Sequence, residues 1–357
     1  MSRSLNRGRY VLLALVSSLL GLGVALLAAE LALRIVNGGL FSMQDLRPVP
    51  WGIPAESFTE YDPLLGWVPR PEVVHTWRGG WSASIDADRL RSNGESSSVD
   101  RPGNAGPAVL AVGDSSAFGD EVEDNQSWPA HLERRLGRPV GNAGVGGYGI
   151  DQAVLRAERR MDSEAVNIVV LSFVSDDVTR CAYSFRHRWK PWFRLDHEGL
   201  VLTLPPPPAV PLPESPWLVA LGHSHLGRFI MERAFPEVWN RSTHRRVHND
   251  ALAVASRLLD RLNRHANARG ARLLVVALAG ADGDRQYVPQ LLEQAAADGV
   301  ATLDLSGQLA AWARDPVERA RMFRPHFHLA SAANDWVAER VAARLAELGW
   351  AGGMPGS

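Results

Sequence analysis

The chain has 357 residues, a formal net charge of −1 and 46% hydrophobic residues. That length suits one large domain or two modest ones. The near-zero charge argues against a nucleic-acid partner, which would require a basic surface. The single cysteine, Cys181, cannot form an intramolecular disulfide and reads as a small buried apolar residue.

The first ten residues carry Arg3, Arg7 and Arg9 and no acid, and an uncharged run follows from Val11 to Ala29. At about 1.5 Å per residue such a run crosses a hydrocarbon core of roughly 30 Å. Glu30 and Arg34 end it. The expectation is a cytoplasmic segment over 1–10, an uncleaved transmembrane anchor over 11–33, and the rest of the chain periplasmic or extracellular at the inner membrane. The competing reading is a cleaved signal peptide, whose apolar region is usually shorter and ends in a small-x-small site that "LLAAE" matches poorly.

Residues 34–106 are rich in Pro, Gly, Ser and Trp and read as an extracytoplasmic linker with edge strands. The short alternating runs in "YDPLLGWVPRPEVVHTW" and "WSASIDADRLRS" suit strands packed on a larger domain. "NGESSSVDRPGNAGP" reads as a polar loop.

From 107 to 350 apolar strand-like runs alternate with amphipathic helices. "AVLAVG", "PVGNAG", "VNIVVLSFV", "ARLLVVALAG" and "VATLDLS" are the strands. "SWPAHLERRLG", "IDQAVLRAERRM", "HNDALAVASRLLDRLNRHANARG", "VPQLLEQAAADG" and "ASAANDWVAERVAARLAELG" are the helices. The alternation predicts an α/β domain, a three-layer α/β/α doubly wound parallel sheet. An insertion over 179–246 contains "RHRWKPWFRLDHEGLVL", the extended run "LPPPPAVPLP" and the segment "SPWLVALGHSHLGRFIMERAF", which reads as a helix with an apolar face and as a lid, a membrane-facing element or surface decoration. Residues 351–357 form a tail.

Ligands of open α/β sheets bind beyond the carboxyl ends of the strands. The residues expected there are Gly113, Asp114, Ser115 and Ser116 after the first strand, "NAGVGGYG" after the second, "SDDV" after the third, and "FRPHFHLA" before the last helix. A serine, an imidazole and glycine-rich turns on one rim are the parts of an acyl-transfer site, with the imidazole taking the serine proton and free backbone amides holding the oxyanion. Ser116 is the alternative nucleophile, and Asp114 reads as an acceptor within the turn. The pairs His223/His225 and His326/His328 lack a matching carboxylate or Cys pattern for a metal. Trp189, Trp192 and Trp217 suit stacking on sugars, with core or membrane-interface packing as the plainer reading.

In order and placement, "GDSSAFG", "NAGVGGYG", "SDDV" and "HLASAANDWVAERV" resemble the blocks of the SGNH/GDSL hydrolase family, and "DPLLGWVPRPE", "KPWFRLDHEGLVL" and the N-terminal apolar run resemble a membrane-anchored bacterial branch of it. The resemblance implies a flavodoxin-like fold, no cofactor and no metal. It also implies Ser115 as nucleophile, His328 as general base, and the Ser115 and Gly147 amides with the side chain at position 176 as the oxyanion hole. That last position is Asp176 rather than asparagine, and the acid expected two or three residues before His328 is replaced by His326 and Pro325. Asp177, Asp304, Asp315 and Asp335 are the other candidate acids, and His326 a candidate imidazole partner. The expected activity is an extracytoplasmic serine esterase or O-acyltransferase acting on acyl, chiefly acetyl, esters of envelope or secreted polysaccharide or on small esters, working beside polysaccharide-export or modification machinery. The alternative is a catalytically impaired glycan-binding or assembly module.

Overall fold

The computed structural model describes residues 2–36, 58–77, 80–94, 108–186, 188–205, 224–235, 244–325 and 327–351. The chain divides into two units, Met1–Gly52 with Ala209–Arg245, and Ile53–Pro208 with Arg246–Ser357.

In the first unit the uncharged run forms the middle of helix α1 (Ser2–Val36). Its segment Arg9–Val36, 28 residues, is long and apolar enough to cross a membrane. Leu12, Leu13, Leu19 and Leu20 stand exposed along it. Glu30, which closes the apolar run, accepts from the Ser224 hydroxyl (2.7 Å) and the amides of His225 (3.1 Å) and Leu226 (2.8 Å). It thereby satisfies the free N–H groups that begin helix α6 (His225–Ala234). The proline run beyond Leu204 and Pro205, with Trp217 and His223, lies outside the described residues.

The second unit is built on one parallel sheet. Its strands are β5 (Val109–Val112), β6 (Val140–Asn142), β7 (Ile168–Phe173), β12 (Arg272–Ala277) and β13 (Ala301–Asp304), in the order β13-β12-β7-β5-β6. Every pairing is parallel. The order is that of flavodoxin-like sheets, which reverse direction of winding beside the first strand. Alternate residues feed opposite faces. Leu110, Val112, Val169, Leu171 and Val275 join one core, with helices α4 (Ile150–Ser163), α7 (Ala251–Ala268) and α8 (Val288–Ala297). Val109, Ala111, Val170, Leu274 and Val276 join the other, with α3 (Trp128–Leu136), α9 (Ser306–Arg314) and α11 (Ser331–Glu347). This is the three-layer α/β/α arrangement the alternating pattern predicts. Cys181 is fully buried in the first core.

Residues before the sheet form two antiparallel hairpins, β1 (Thr59–Asp62) with β2 (Gly66–Pro69) and β3 (Val73–Thr76) with β4 (Ser82–Ile85). After β7 come α5 (Ser175–Arg180), β8 (Tyr183–Arg186), the hairpin β9 (Trp192–Asp196) and β10 (Gly199–Thr203), and later β11 (His244–Arg246). Lys190 lies under this part with its ammonium on Asp151, both side chains fully buried.

Candidate active site

Strand β5 is followed by Gly113, where φ is +154° and a Cβ would stand 2.4 Å from the Ser172 carbonyl oxygen. Only glycine permits that approach. The next residue, Asp114, caps the four-residue helix α2 (Ser115–Phe118), its Oδ1 accepting from the Ser116 amide at 2.8 Å. Ser115 is therefore the first helical residue, and its Oγ donates to Asp114 Oδ2 at 3.2 Å. Asn142 ties the second block to this turn: its Nδ2 donates to the Phe118 carbonyl (3.1 Å) and its Oδ1 accepts from the Gly144 amide (3.1 Å). Gly147 sits at φ +81°, and among the described residues no acceptor takes its N–H.

The loop after α2 is held by a buried arginine. The Arg91 guanidinium donates to the carbonyls of Phe118 (2.8 Å), Gly119 and Val122 (2.5 Å) and to Asp124 Oδ1 (3.1 Å), and lies 4.7 Å from the Phe118 ring centre. This clamp presents Asp120 and Glu121, the latter at φ +66°, a conformation disfavoured for any residue with a Cβ.

His328 meets both acids. It lies on a tight loop closed by the bridge between Phe323 and Leu329 and by the Arg324 amide on the His328 carbonyl (2.8 Å). Its Nδ1 is 2.9 Å from Glu121 Oε2, and its Nε2 is 3.7 Å from Asp120 Oδ2. A carboxylate only accepts, so the Glu121 contact assigns the proton to Nδ1 and leaves Nε2 as the basic nitrogen. The Glu121 carbonyl in turn accepts from Arg324 Nε at 2.9 Å. Burial pushes the Asp120 carboxyl up to about 6, and the charges of Asp114 and Glu121 add to the shift against the opposing pull of His328 and Arg91. Among the described residues no hydrogen bond joins Ser115 to His328. The link is the Asp120 amide on the Ser115 carbonyl (3.0 Å), with the Asp120 carboxylate facing the imidazole.

Glu121 has no sequence signature. It lies 207 residues from His328 and outside every motif block. The acids proposed from composition are engaged elsewhere. Asp304 pairs with Arg285 (2.9 Å), Asp335 with Arg135 (2.6 Å), Asp177 with Arg180 (2.6 Å), and Asp315 caps helix α10 (Pro316–Met322). His326 lies outside the described residues.

Asp176 does not present an N–H donor. Its Oδ2 accepts from Arg180 Nε (3.0 Å) and from an Arg186 terminal nitrogen (2.8 Å). Arg180 also donates to Asp177 (2.6 Å), to the Tyr148 carbonyl (2.7 Å) and, at 3.4 Å, to the Asp114 oxygen that holds Ser115. Burial opposes the Arg180 charge, but the carboxylates of Asp177, Asp176 and Asp114 outweigh it and hold its pKa raised. Burial, with the neighbouring Asp114 charge, pushes Asp177 well above the usual carboxylate range.

A cavity of about 260 Å³ adjoins this rim, with Thr59, Trp67, Trp77, Asp120, Gly147 and Arg188 among its walls. Trp189 and Trp192 are not among them: Trp189 packs edge-on to Phe185 and Trp192 against His248. The aromatic wall comes instead from residues 58–77, read from sequence only as edge strands. A larger open groove of about 950 Å³ lies along α7 and the β9–β10 hairpin and includes none of Ser115, Gly147 or His328.

No family model and no curated protein matches the sequence. Among solved structures the chain is similar to TesA (17% identity, 67% of this chain and 98% of that one, TM-score 0.41). It is similar also to Axe2, an acetylxylan esterase from Geobacillus stearothermophilus (12%, 68% and 95%, TM-score 0.40). A third is a lipolytic protein of the G-D-S-L family from Desulfitobacterium hafniense DCB-2 (12%, 66% and 98%, TM-score 0.34).

Proposed function

We propose that this chain is a membrane-tethered serine hydrolase of the SGNH/GDSL type, an esterase or O-acyltransferase whose site is Ser115, His328 and Glu121. The observation that carries the reading is the Glu121–His328 contact at 2.9 Å, beside the turn that presents Ser115. It supplies the acid that the residues preceding His328 lack. Ser115 Oγ attacks the acyl carbonyl carbon as its proton passes to His328 Nε2. The Ser115 and Gly147 amides stabilise the oxyanion, and Glu121 stabilises the imidazolium. Collapse returns the proton to the departing alkoxide and leaves an acyl-serine. Water or a sugar hydroxyl then takes the acyl group by the same steps in reverse order. For this, Ser115 Oγ must turn from Asp114 toward Nε2, a tightening that resting sites often require. Asp176, paired with two guanidinium groups, takes no part in the oxyanion hole. The N-terminal basic residues support an inside N-terminus and an extracytoplasmic catalytic unit, where O-acetylated envelope or secreted polysaccharide and its modification machinery would be the partners.

A non-catalytic glycan-binding reading draws on one observation, the Ser115 hydroxyl bonded to Asp114 instead of an imidazole. The two readings separate on labelling of the full chain in detergent with a fluorophosphonate. The hydrolase reading expects Ser115 to label and Ser115→Ala to abolish it. Equal labelling of both, or none of the wild type, refutes it.

A further inference from the structure

We infer that the cavity beside Gly147 is a subsite for a sugar ring bearing an anionic substituent, which Arg188 reads. The inference rests on the acyl-ester chemistry proposed at Ser115 only for what the ring carries, not for its binding.

The cavity has two kinds of wall. One is aromatic and pre-organised. Phe58 lies edge-on to Trp77 (5.2 Å between ring centres) and to Phe118 (5.7 Å), and Trp77 stacks on Trp81 (3.8 Å, 9°). Trp67 is anchored by its indole N–H on the Gly146 carbonyl at 3.2 Å. Rings locked in this way offer flat apolar surface at little further entropic cost, which suits the C–H face of a pyranose. The volume of about 260 Å³ falls just below the range for drug-sized ligands, about 300–1,000 Å³, so it suits one ring and its substituents.

The other wall is charged, and its charges are not equivalent. Arg186 is taken up by Asp176 at 2.8 Å. Asp120, the acid on the wall, faces His328. Arg188 stands over Trp67, 5.6 Å from its ring centre, and donates to the Thr59 hydroxyl at 2.6 Å. Among the described residues it has no carboxylate partner, and that hydroxyl takes one of its five N–H donors. Burial depresses its pKa, the sign of a cation lacking its counter-charge. A neutral sugar would leave that charge uncompensated. A carboxylate or sulfate on the ring would pair with the guanidinium fork. Gly146 and Gly147 belong to the same walls, so a ring seated there lies against the amide assigned to the oxyanion.

The test is binding to the full chain carrying Ser115→Ala, in detergent, read by tryptophan fluorescence. The probes are methyl glucuronide, methyl glucoside 6-sulfate and methyl glucoside. A charge-assisted contact should favour the anions by about 10–100-fold over the neutral glycoside. Preference for only one anion identifies the source of the charge. Arg188→Met, which keeps the aliphatic stem on Trp67, should erase the preference, and Arg188→Lys should keep part of it. Equal binding of neutral and anionic glycosides, or no binding of the anions, overturns the inference. So does a preference that survives in a folded Arg188→Met chain. Because the readout is binding to a serine-less chain, loss of the hydrolase reading leaves it standing. A fluorophosphonate-reactive chain without the anion preference overturns this inference alone.

Discussion

Glu121→Gln tests the assignment of the acid most directly. The substitution keeps shape and leaves the backbone contact to Arg324 in place, but replaces the carboxylate 2.9 Å from His328 Nδ1 with a neutral amide. In the transition state the imidazole becomes a cation. Unit charges about 4 Å apart attract by about 4 kcal/mol at an effective dielectric of about 20. The imidazole retains 25% of its exposure, so solvent reclaims part of that. The expected loss is about 3 kcal/mol of transition-state stabilisation, roughly a 10²-fold fall in kcat. This is smaller than the about 10⁴-fold effect of removing a fully buried acid from the serine-protease arrangement. KM should hardly move, because Glu121 is not among the residues lining the cavity. The assay is hydrolysis of an acetyl ester together with the rate of fluorophosphonate labelling, with thermal unfolding as the control for fold. Glu121→Asp, one methylene shorter, should fall between the two. A Glu121→Gln chain of unchanged melting temperature whose kcat stays within about threefold of wild type would refute the role assigned to this contact.

Asp120 makes stability depend on pH. Its folded value is raised from 3.8 to about 6, so the native state holds a proton that the unfolded chain has already lost within that window. Stability therefore falls as pH rises from about 4 to 6, by at most about 3 kcal/mol. Asp120→Asn should flatten this dependence and raise the denaturant midpoint at pH 7.5, and an unchanged slope would contradict the assignment. Gly147→Ala forces a Cβ onto φ +81°, with Trp67 Cζ2 at an ordinary 3.7 Å, so any loss of stability comes from the backbone, about 1–3 kcal/mol. The accompanying shift of the amide should lower kcat by about tenfold or more, and an unaffected kcat would remove Gly147 from the oxyanion hole. Lys190→Met strands Asp151 in the core and removes the ammonium contacts to the carbonyls of Tyr183 (3.2 Å) and Pro191 (2.9 Å). The denaturation midpoint should report a loss of about 3–5 kcal/mol, and a loss under about 1 kcal/mol would mean that water reaches the pair.

The parallel sheet was legible because its signal is local. Val109–Val112 and Ile168–Phe173 are short apolar runs, buried on both faces, and they alternate along the chain with helical stripes such as those of Trp128–Leu136 and Ala251–Ala268. The Ser115 turn was legible for the same reason, since Asp114 bonds the Ser115 hydroxyl and the Ser116 amide within two residues. The hairpins of residues 59–85 were seen as edge strands, but their aromatic side chains could not be assigned to a cavity. Which face Trp67 and Trp77 present depends on what the hairpins pack against.

By itself the sequence determined the apolar N-terminal span, the alternation of strands and helices, and the turn that presents Ser115. Each depends on periodicity or on residues a few positions apart. Only the tertiary structure brought Glu121 to within 2.9 Å of His328 across 207 residues and set Arg180 and Arg186 on Asp176. It also set Arg188 on the cavity wall with the Thr59 hydroxyl, and no carboxylate among the described residues, as its hydrogen-bond partner. Coulomb and hydrogen-bond energies depend on distance in space, and folding makes those distances short without leaving a spacing rule in the chain.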